Sequence, residues 1–584
     1  MISTGKFARY YFDNRRSLLQ PSMKVLKLLL AIALSSLLTV TLGFGHPLEA
    51  IAAEKIVFSF PVLGQFQLAV ADLEVFARSG KITRAFAYYA RFVDRESLQK
   101  LRQVLQTSLI DDPVAVYRLT NTPLGEDVLR RLGEIVYTHP ERNGIYAIRA
   151  ALITATAEPE GLTPLSFLRH FPTERIQLNT SLIFSLVKEA ESLFAYKETT
   201  ISAIAEEARR EIARSANTSD NNQNLEDLSQ LGKHQVSSRK MSFATDNPRQ
   251  TGDSSDKARL YTQIYSPTEI EQPAPLAIIT HGFGAKAADY KSLAKHLASH
   301  GYIVALPEHA ISNIEYESAI AEEAGVNMNP VEFSSRPQDI TYLLDRLEKH
   351  PDWQGKIDWS QVGILGHSLG GTTALLVSGA DLNLNKIQNS CQYDRFFLNV
   401  SLFLQCRAKN LPPGDYNFRD PRIKAVIALN SIGSLVLGAE SMSKITIPTL
   451  IIGGTRDSIA PFIDEQVHPF LWLTTTHKYL ATVVGGGHVA SSIQDRSVEV
   501  SDLLTDSESS IDSDYFNVLS LAFFETYIRD RPKYQSYLTA SYAKSISKPE
   551  LPLHLIRSLN LQQLKTAYGK TPPIEPIPQS CEDC

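Results

Sequence analysis

Short apolar runs alternate with amphipathic helical stretches over the second half of this 584-residue chain. Strands that alternate with helices form βαβ units, and such units build a mostly parallel sheet with helices on both faces. Two of the runs, Val362–Leu365 and Thr449–Ile452, are apolar at nearly every position, as expected of strands covered on both faces. Candidate strands are Ala258–Tyr265, Ala277–Thr280, Tyr302–Leu306, Val362–Leu365, Ala425–Leu429, Thr449–Ile452 and Tyr479–Val484. The alternation predicts a doubly wound α/β domain over residues 255–540.

The first half of the chain has a helical pattern instead. Apolar residues recur every three or four positions from residue 54 to residue 214, and the stretch from Ser181 to Arg214 is typical of one long helix or of two joined end to end. We therefore predict a mainly α-helical accessory domain over 54–214, opened by one short strand at Ile56–Phe60.

Two polar segments are predicted to lie outside these domains. Residues 215–254 are rich in Asn, Ser and Asp and poor in apolar residues, so a linker is expected there. Residues 541–584 are expected to form a C-terminal tail. That tail ends in Cys581-Glu-Asp-Cys584, which is interpreted as a loose end with or without a bridge, because no strand–helix context of a redox motif surrounds it.

The N-terminus has the features of a secretory leader. Lys24 and Lys27 precede an apolar run that ends at Phe44, and the small residues Ala52 and Ala53 follow. A basic start, an apolar stretch and a small-residue site predict a signal peptide over residues 1–53 and export to the periplasm or the medium, with Met23 as an alternative start. An uncleaved membrane anchor is the other interpretation, since the run is nearly long enough to span a bilayer.

Charge and cysteine content limit the partners of this chain. The formal net charge is −5, and no basic cluster supports nucleic acid as a partner. In an exported protein, Cys391 and Cys406 are expected to close a short disulfide loop. No metal or organic cofactor is expected.

The strongest chemical signal is the run Gly366-His-Ser-Leu-Gly370 between a predicted strand and a predicted helix. Glycines at both ends allow a sharp turn, and they leave room beside an exposed serine hydroxyl at its apex. The helix that follows directs its positive end at the same place, which favours a developing oxyanion. In this strand–turn–helix setting, Ser368 is predicted to be a nucleophile.

A serine nucleophile needs a base, and the base needs an acid that orients it. Asp457 follows the candidate strand Thr449–Ile452, and His488 follows the last candidate strand in the run Gly485-Gly-Gly-His488. Functional groups of open α/β sheets collect at the carboxyl ends of the strands, so Asp457 and His488 are predicted to complete a triad with Ser368.

Other acidic residues and histidines fit these roles less well. Asp464 lies in a predicted helix and is interpreted as a solvated charge. His468 and His477 lack a preceding strand and a glycine loop, so each is interpreted as a surface or packing histidine. His367 is expected to point away from the site and to support the turn.

An oxyanion hole requires two backbone N–H groups. The N–H of Leu369, directly after the nucleophile, is expected to supply one. The second is expected from Phe283, because His281-Gly282-Phe283-Gly284 directly follows the candidate strand Ala277–Thr280.

With these motifs in place, residues 255–530 resemble the α/β-hydrolase superfamily, most of all its dienelactone-hydrolase-like and platelet-activating-factor-acetylhydrolase-like esterases. The matching segments are Thr280–Gly284, Ser299–His309, Arg336–Asp339, Gly366–Gly371, Asp457 and Gly487–His488. A serine replaces the cysteine nucleophile of dienelactone hydrolase itself. The whole chain is similar to exported cyanobacterial hydrolases whose N-terminal domain has no known function. The resemblance implies a Ser-Asp-His triad and carboxylic-ester chemistry without naming a substrate.

The insertion at residues 381–420 follows the nucleophile helix, where hydrolases commonly carry lids. It includes the apolar run Phe396–Leu404, which predicts either an acyl-binding wall or a packed loop. The expected substrate is a small-molecule or lipid ester. Two roles are open for the helical domain: covering the mouth of the active site, and peripheral contact with a membrane surface. Two alternatives stay open: a peptide or amide hydrolase with the same triad, and a binding or scaffold protein that relies on its helical domain.

Overall fold

The structure is a computed structural model that describes residues 52–60, 64–108, 112–139, 142–215, 225–244, 259–309, 329–391, 398–488 and 513–573. The predicted leader up to Ile51, the alternative start Met23 and the pair Cys581 and Cys584 lie outside these residues. Within them, no helix has the length and apolar character that are needed to span a bilayer.

The N-terminal unit, residues 52–179, is a small mixed sheet covered by helices. Its strands are β1 (Lys55–Phe60), β2 (Gly64–Ala69), β3 (Val136–His139), β4 (Arg142–Asn143) and β5 (Arg175–Leu178), in the order β2-β1-β5-β3-β4. Its helices are α1 (Val70–Ser79), α2 (Arg84–Ala90), α3 (Arg95–Gln106), α4 (Pro113–Thr120), α5 (Pro123–Ile135), α6 (Ile145–Thr156) and α7 (Pro164–Arg169). They enclose a core of their own, which includes Leu73, Phe76, Leu129 and Phe171.

The mainly helical character of this unit is as predicted, and so is strand β1. The sequence pattern did not predict strands β2–β5. Strand β2 is mostly exposed and β4 is only two residues long, so neither carries the alternation of buried and exposed residues that indicates a strand. The result is a five-stranded sheet where one short strand was expected.

A single helix, α8 (Thr180–Ser215), follows the N-terminal unit. Its second half packs on the C-terminal part of the chain, since Tyr196, Ile204 and Ala208 belong to that part's core. The buried Glu207 carboxylate also accepts hydrogen bonds from Ser558 Oγ at 3.1 Å and Gln563 Nε2 at 2.8 Å. Most of α8 therefore packs with the C-terminal unit, residues 180–573. The two units are divided before α8 and not at residue 214, where the sequence predicted the domain boundary.

The C-terminal unit is built on a nine-stranded sheet. Its strands are β6 (Val236–Ala244), β7 (Arg259–Pro267), β8 (Ala274–Thr280), β9 (Ile303–Glu308), β10 (Ile357–His367), β11 (Ile423–Leu429), β12 (Thr449–Gly454), β13 (Lys478–Val483) and β14 (Leu553–Ile556), in the order β14-β13-β12-β11-β10-β8-β9-β7-β6. Strands β8 to β13 are parallel to one another, and β6, β7 and β14 pair antiparallel at the two edges. This mostly parallel sheet agrees with the predicted fold class.

Helices cover both faces of the sheet, which buries the central strands completely. They are α9 (Lys291–Ser299), α10 (Glu332–Glu348), α11 (Leu369–Val377), α12 (Leu384–Ser390), α13 (Ser401–Gln405), α14 (Ser434–Met442), α15 (His468–Trp472), α16 (Ser513–Tyr527), α17 (Ala540–Ile546) and α18 (Leu561–Tyr568). Because β8, β10, β12 and β13 run in one direction, the loops that follow them meet at one edge of the sheet.

Two segments that were predicted to lie outside the domains are part of this unit. Strand β6 falls inside the predicted linker 215–254 and pairs with β7 along its whole length. It is an edge strand that buries only Met241 and Phe243, so its sequence is mostly polar. The predicted tail 541–584 supplies most of α17, together with β14 and α18, and β14 pairs with β13. These segments are short, and tertiary pairing rather than an internal pattern determines their structure.

Candidate active site

Ser368 lies at the sharp turn between β10 and α11, as the sequence predicts. Its backbone, with φ 54° and ψ −122°, is in a region that non-glycine residues rarely adopt, at a cost of about 1–3 kcal/mol. The Ser368 N–H donates to the Leu429 carbonyl at 3.0 Å, and the Ser368 carbonyl accepts from Gly371 N–H at 2.9 Å. The surrounding strands and helix therefore hold the residue in this strained turn.

Two glycines at this site are required by space. A Cβ on Gly370 would lie 2.2 Å from the Thr280 carbonyl oxygen, so only glycine lets α11 start against the end of β8. A Cβ on Gly282 would lie 3.2 Å from Ser368 Cβ, which is tighter than most van der Waals contacts. Gly282 therefore brings the loop after β8 directly against the Ser368 side chain.

Asp457 and His488 meet at the same edge of the sheet. His488 Nδ1 donates to Asp457 Oδ2 at 2.7 Å, and both side chains are almost fully buried. Asp457 Oδ1 accepts two further bonds, from Ile459 N–H at 2.9 Å and Ala460 N–H at 2.7 Å. The acid is thus fixed by its own loop, and its bond to Nδ1 leaves His488 Nε2 as the ring atom available to a reacting group.

The loop after β8 is held by the side chain of His281. His281 Nε2 accepts from His309 N–H at 3.2 Å, so the proton of the neutral ring is on Nδ1, which donates to the Gly282 carbonyl at 2.8 Å. Burial, and next the charge of Arg336, lower the pKa of His281 to about 3, so the ring stays neutral at ordinary pH. The carbonyl of Gly282 is therefore turned toward the His281 ring.

This contact orients the next amide group. Because C=O and N–H of a trans peptide point in opposite directions, the Phe283 N–H points away from the His281 ring. Among the described residues, neither the Phe283 N–H nor the Leu369 N–H donates a hydrogen bond within the protein. Both predicted oxyanion donors are thus available, one in the loop against Ser368 and one directly after it.

Comparison with known proteins places parts of the chain in two families. Residues 52–179 match the family described as "Alpha/beta hydrolase of unknown function (DUF1400)", and residues 228–391 match the family described as "Chlorophyllase". The second match contains β8, β10 and the Ser368 turn. The protein is an α/β-hydrolase.

A curated relative matches a shorter part of the hydrolase. "Platelet-activating factor acetylhydrolase" of Cavia porcellus is 30% identical over 149 residues, which cover 20% of this chain and 34% of that protein. The chain thus matches about a third of the length of this relative.

The sequence analysis did not identify Asn430, which links the loops of the hydrolase site. Its φ is 40°, and its side chain is fully buried at the end of β11. Asn430 Oδ1 accepts from Gly454 N–H at 2.9 Å, and Nδ2 donates to the carbonyls of Gly487 at 2.9 Å and His488 at 2.7 Å. One amide thus joins the loop that precedes Asp457 to the loop that carries His488. The only sequence signal was its position directly after a buried strand.

His367 has a more specific role than the expected support of the turn. Its Nε2 donates to the His488 carbonyl at 2.8 Å, and the Tyr290 hydroxyl lies 2.6 Å from its Nδ1. The two histidine rings lie 4.9 Å apart, centroid to centroid. His367 therefore connects the turn of Ser368 to the backbone of His488.

Helix α10 supports the loop after β8 from behind. Arg336 Nη1 donates to the His281 carbonyl at 2.7 Å, and Arg336 also pairs with Glu332. Nearby, His309 Nδ1 is 2.9 Å from Asp339 Oδ2, and its Nε2 is 2.8 Å from Thr280 Oγ1. Apart from Glu332, these buried groups lie in three of the segments that carried the family resemblance, but no single motif predicts what they contact.

A disulfide and buried hydrogen bonds fix part of the insertion 381–420. Cys391 and Cys406 are joined as a disulfide. The buried Glu465 carboxylate accepts from Asn399 Nδ2, Ser401 Oγ and Gln405 Nε2 of the insertion at 2.8–2.9 Å, and from Gly433 N–H and Ser434 N–H at the start of α14. These contacts favour the packed loop over a lid for the described part. Phe396 and Phe397, at the start of the predicted apolar wall, lie outside the described residues.

The competing residues lie elsewhere in the hydrolase. His468 is buried with its ring 6.4 Å from that of Tyr196, so it is a packing histidine, and His477 is exposed. Asp464 is half-buried in the turn of Ile463–Val467.

Proposed function

We propose that this hydrolase cleaves carboxylic esters through an acyl-enzyme on Ser368. The observation that carries the proposal is the meeting of three elements at one edge of the sheet: the strained Ser368 turn, the 2.7 Å bond between His488 and Asp457, and the loop that brings Gly282 against Ser368. This combination of nucleophile, oriented base and oxyanion donors is what acyl transfer requires.

In the proposed mechanism, Ser368 Oγ attacks the ester carbonyl while His488 Nε2 takes its proton. Asp457 keeps the other ring proton on Nδ1 and stabilises the imidazolium that forms. The amides of Phe283 and Leu369 hold the oxyanion, and His488 then protonates the leaving alcohol. Water, activated by the same histidine, releases the acid from Ser368.

A lipid or phospholipid acyl ester is the proposed substrate class. The support is the similarity to a platelet-activating factor acetylhydrolase, which covers a minor part of each chain. Export is proposed on the leader-like N-terminus, and the disulfide between Cys391 and Cys406 supports it, because disulfides persist in oxidising compartments.

Substitution of the nucleophile tests the function. Ser368→Ala is expected to reduce hydrolysis of p-nitrophenyl esters by more than about 10⁴-fold and to abolish labelling by a fluorophosphonate, with unchanged thermal unfolding. Ser378→Ala is the matched control: Ser378 is buried at the end of the same helix, where its Oγ donates to the Ala374 carbonyl, and this variant should keep its activity. Ester turnover retained by Ser368→Ala would refute the proposal, and a panel of short-chain esters, phospholipids and peptide amides would define the substrate class.

A further inference from the structure

The turn between α2 and α3 of the N-terminal unit has apolar side chains at its apex. Phe92 is 72% exposed, Val93 is 41% exposed and Tyr88 is 47% exposed. The Arg91 guanidinium lies 4.4 Å from the ring centroid of Tyr88 and 4.6 Å from that of Phe92. The opposite face of α2 contributes Phe86 and Ala90 to the core of the unit. The packing of the unit therefore does not require the apex residues.

The charge around this apex is strongly positive. Residues 81–102 contain six basic and two acidic residues, a net charge of +4 within a chain whose net charge is −5. Both acids have local partners: Asp94 accepts from Ser97 N–H at 2.9 Å as the cap of α3, and Glu96 pairs with Lys100 at 2.7 Å. Arg91 directly precedes Phe92, Arg95 follows Val93 by two positions, and both arginines are exposed. The apolar tip is thus flanked by two exposed cations.

We propose that this turn, with Tyr88, Phe92 and Val93 at its tip, docks the protein on the surface of an anionic lipid bilayer. Aromatic and aliphatic side chains enter the boundary between headgroups and acyl chains, while neighbouring arginines remain with the lipid phosphates. Charge complementarity supports this occupant. A second copy that presented the same face would place one patch of net charge +4 against another, which is repulsive.

The docking surface is independent of the ester chemistry, because it lies in the N-terminal unit and uses none of the residues around Ser368. It would place the enzyme at a lipid surface whether its substrate is a lipid or a small ester. Failure of the docking test therefore leaves the proposed function intact, and failure of the Ser368 test leaves the docking surface intact.

Co-sedimentation of the full chain with vesicles tests the proposal. We expect binding to vesicles of equimolar phosphatidylcholine and phosphatidylglycerol, weak binding to phosphatidylcholine alone, and binding that weakens as salt is added. Phe92→Ser combined with Val93→Ser should reduce binding to the anionic vesicles by about tenfold or more. Arg91→Gln combined with Arg95→Gln should reduce it several-fold and flatten its salt dependence.

Phe194→Ser provides the matched control. Phe194 is 61% exposed and has the Lys197 ammonium 5.2 Å from its ring centroid, but it lies on α8, outside the docking turn. This variant should bind vesicles like the unaltered chain, and all variants should keep their unfolding temperature because only exposed side chains change. Binding that persists in both double variants would place membrane contact elsewhere in the chain and overturn the proposal. The proposal would also be overturned if the unaltered chain did not bind the vesicles. A third contrary outcome is light scattering that shows Phe92 and Val93 to be necessary for self-association.

Discussion

The two sheets of this protein differ in how deeply their strands are buried. Strands β8, β11 and β12 of the C-terminal unit lie under helices on both faces, and nearly all of their residues are inaccessible. In the N-terminal unit, β2 and β4 are largely exposed, and so are the aromatic side chains of Tyr88, Phe92, Tyr117 and Tyr146. A rigid, covered sheet can hold reacting groups in fixed positions, whereas the smaller unit has surface available for contacts with other molecules.

The comparison also shows where the two units meet. Arg407 of the insertion lies 3.6 Å from Asp127 of α5. The units have separate cores, but α8 belongs to the hydrolase core. We therefore expect substitutions in the two cores to have separable effects, and the predictions below test this from the largest expected effect to the smallest.

The largest effect is expected from Asp457→Asn in the C-terminal unit. An asparagine can favour the wrong tautomer of His488, so kcat for p-nitrophenyl esters should fall by about 10⁴-fold while the fold is retained. Asp464→Asn, seven residues further along, is the matched control and should stay within about twofold of the unaltered enzyme. Equal losses in both variants would contradict the assignment of the acid.

The next effect should be confined to the N-terminal unit. Leu129 is 2% exposed in its core, and Leu129→Ala should destabilise that unit by about 2–5 kcal/mol. Because the hydrolase core is separate, the kcat of the folded enzyme should change by less than about twofold. Calorimetry together with ester kinetics measures both quantities. A loss of turnover in proportion to the loss of stability would show that the two units act as one cooperative body.

A smaller effect is expected where Asn430 joins the loops of Asp457 and His488. Asn430→Gly keeps the positive φ that this position needs but removes three hydrogen bonds. We expect kcat to fall by about 10–100-fold, with KM changing less, because the base becomes less well positioned. An unchanged kcat would mean that His367 alone holds the His488 carbonyl.

A pH dependence should also separate the units. Burial lowers the pKa of His281 to about 3 and that of His296 to about 4. A histidine with a lowered pKa is neutral in the folded state, so its contribution to stability is complete above its unfolded pKa of about 6.5 and is lost as the pH falls below that value. None of the fully buried histidines among the described residues lies in the N-terminal unit.

The free energy of unfolding of the C-terminal unit should therefore fall by up to about 1.4 kcal/mol per group for each pH unit below about 6.5. That of the N-terminal unit should change less. Thermal unfolding measured between pH 7 and pH 5 tests this, because that range extends roughly one to two pH units below the unfolded pKa. His296→Gln should weaken the dependence, because a glutamine cannot be protonated in this range. A steeper dependence in the N-terminal transition would contradict the expectation.

Sequence patterns predicted the C-terminal unit better than the N-terminal unit for the same reason that the sheets differ. Strands that are buried on both faces must be apolar throughout, so the central strands were identified from their residues. Edge strands β6 and β14 and the small sheet of the N-terminal unit obey no such requirement. Their structure depends on partners that are distant in the chain, such as β7 for β6 and β13 for β14.

The same division applies to the active-site edge. The sequence by itself determined the turn of Ser368 and the positions of Asp457 and His488 after successive strands, because steric limits at a glycine turn and the order of strands are local properties. Only the tertiary structure decided that His281 orients the Phe283 amide, that Asn430 ties the loops together, and that Glu465 fixes the insertion. The contacts of Asn430 and Glu465 join residues 24 to 66 positions apart, and the contact of His281 depends on the protonation state of its ring. No local pattern of residue types can therefore encode them.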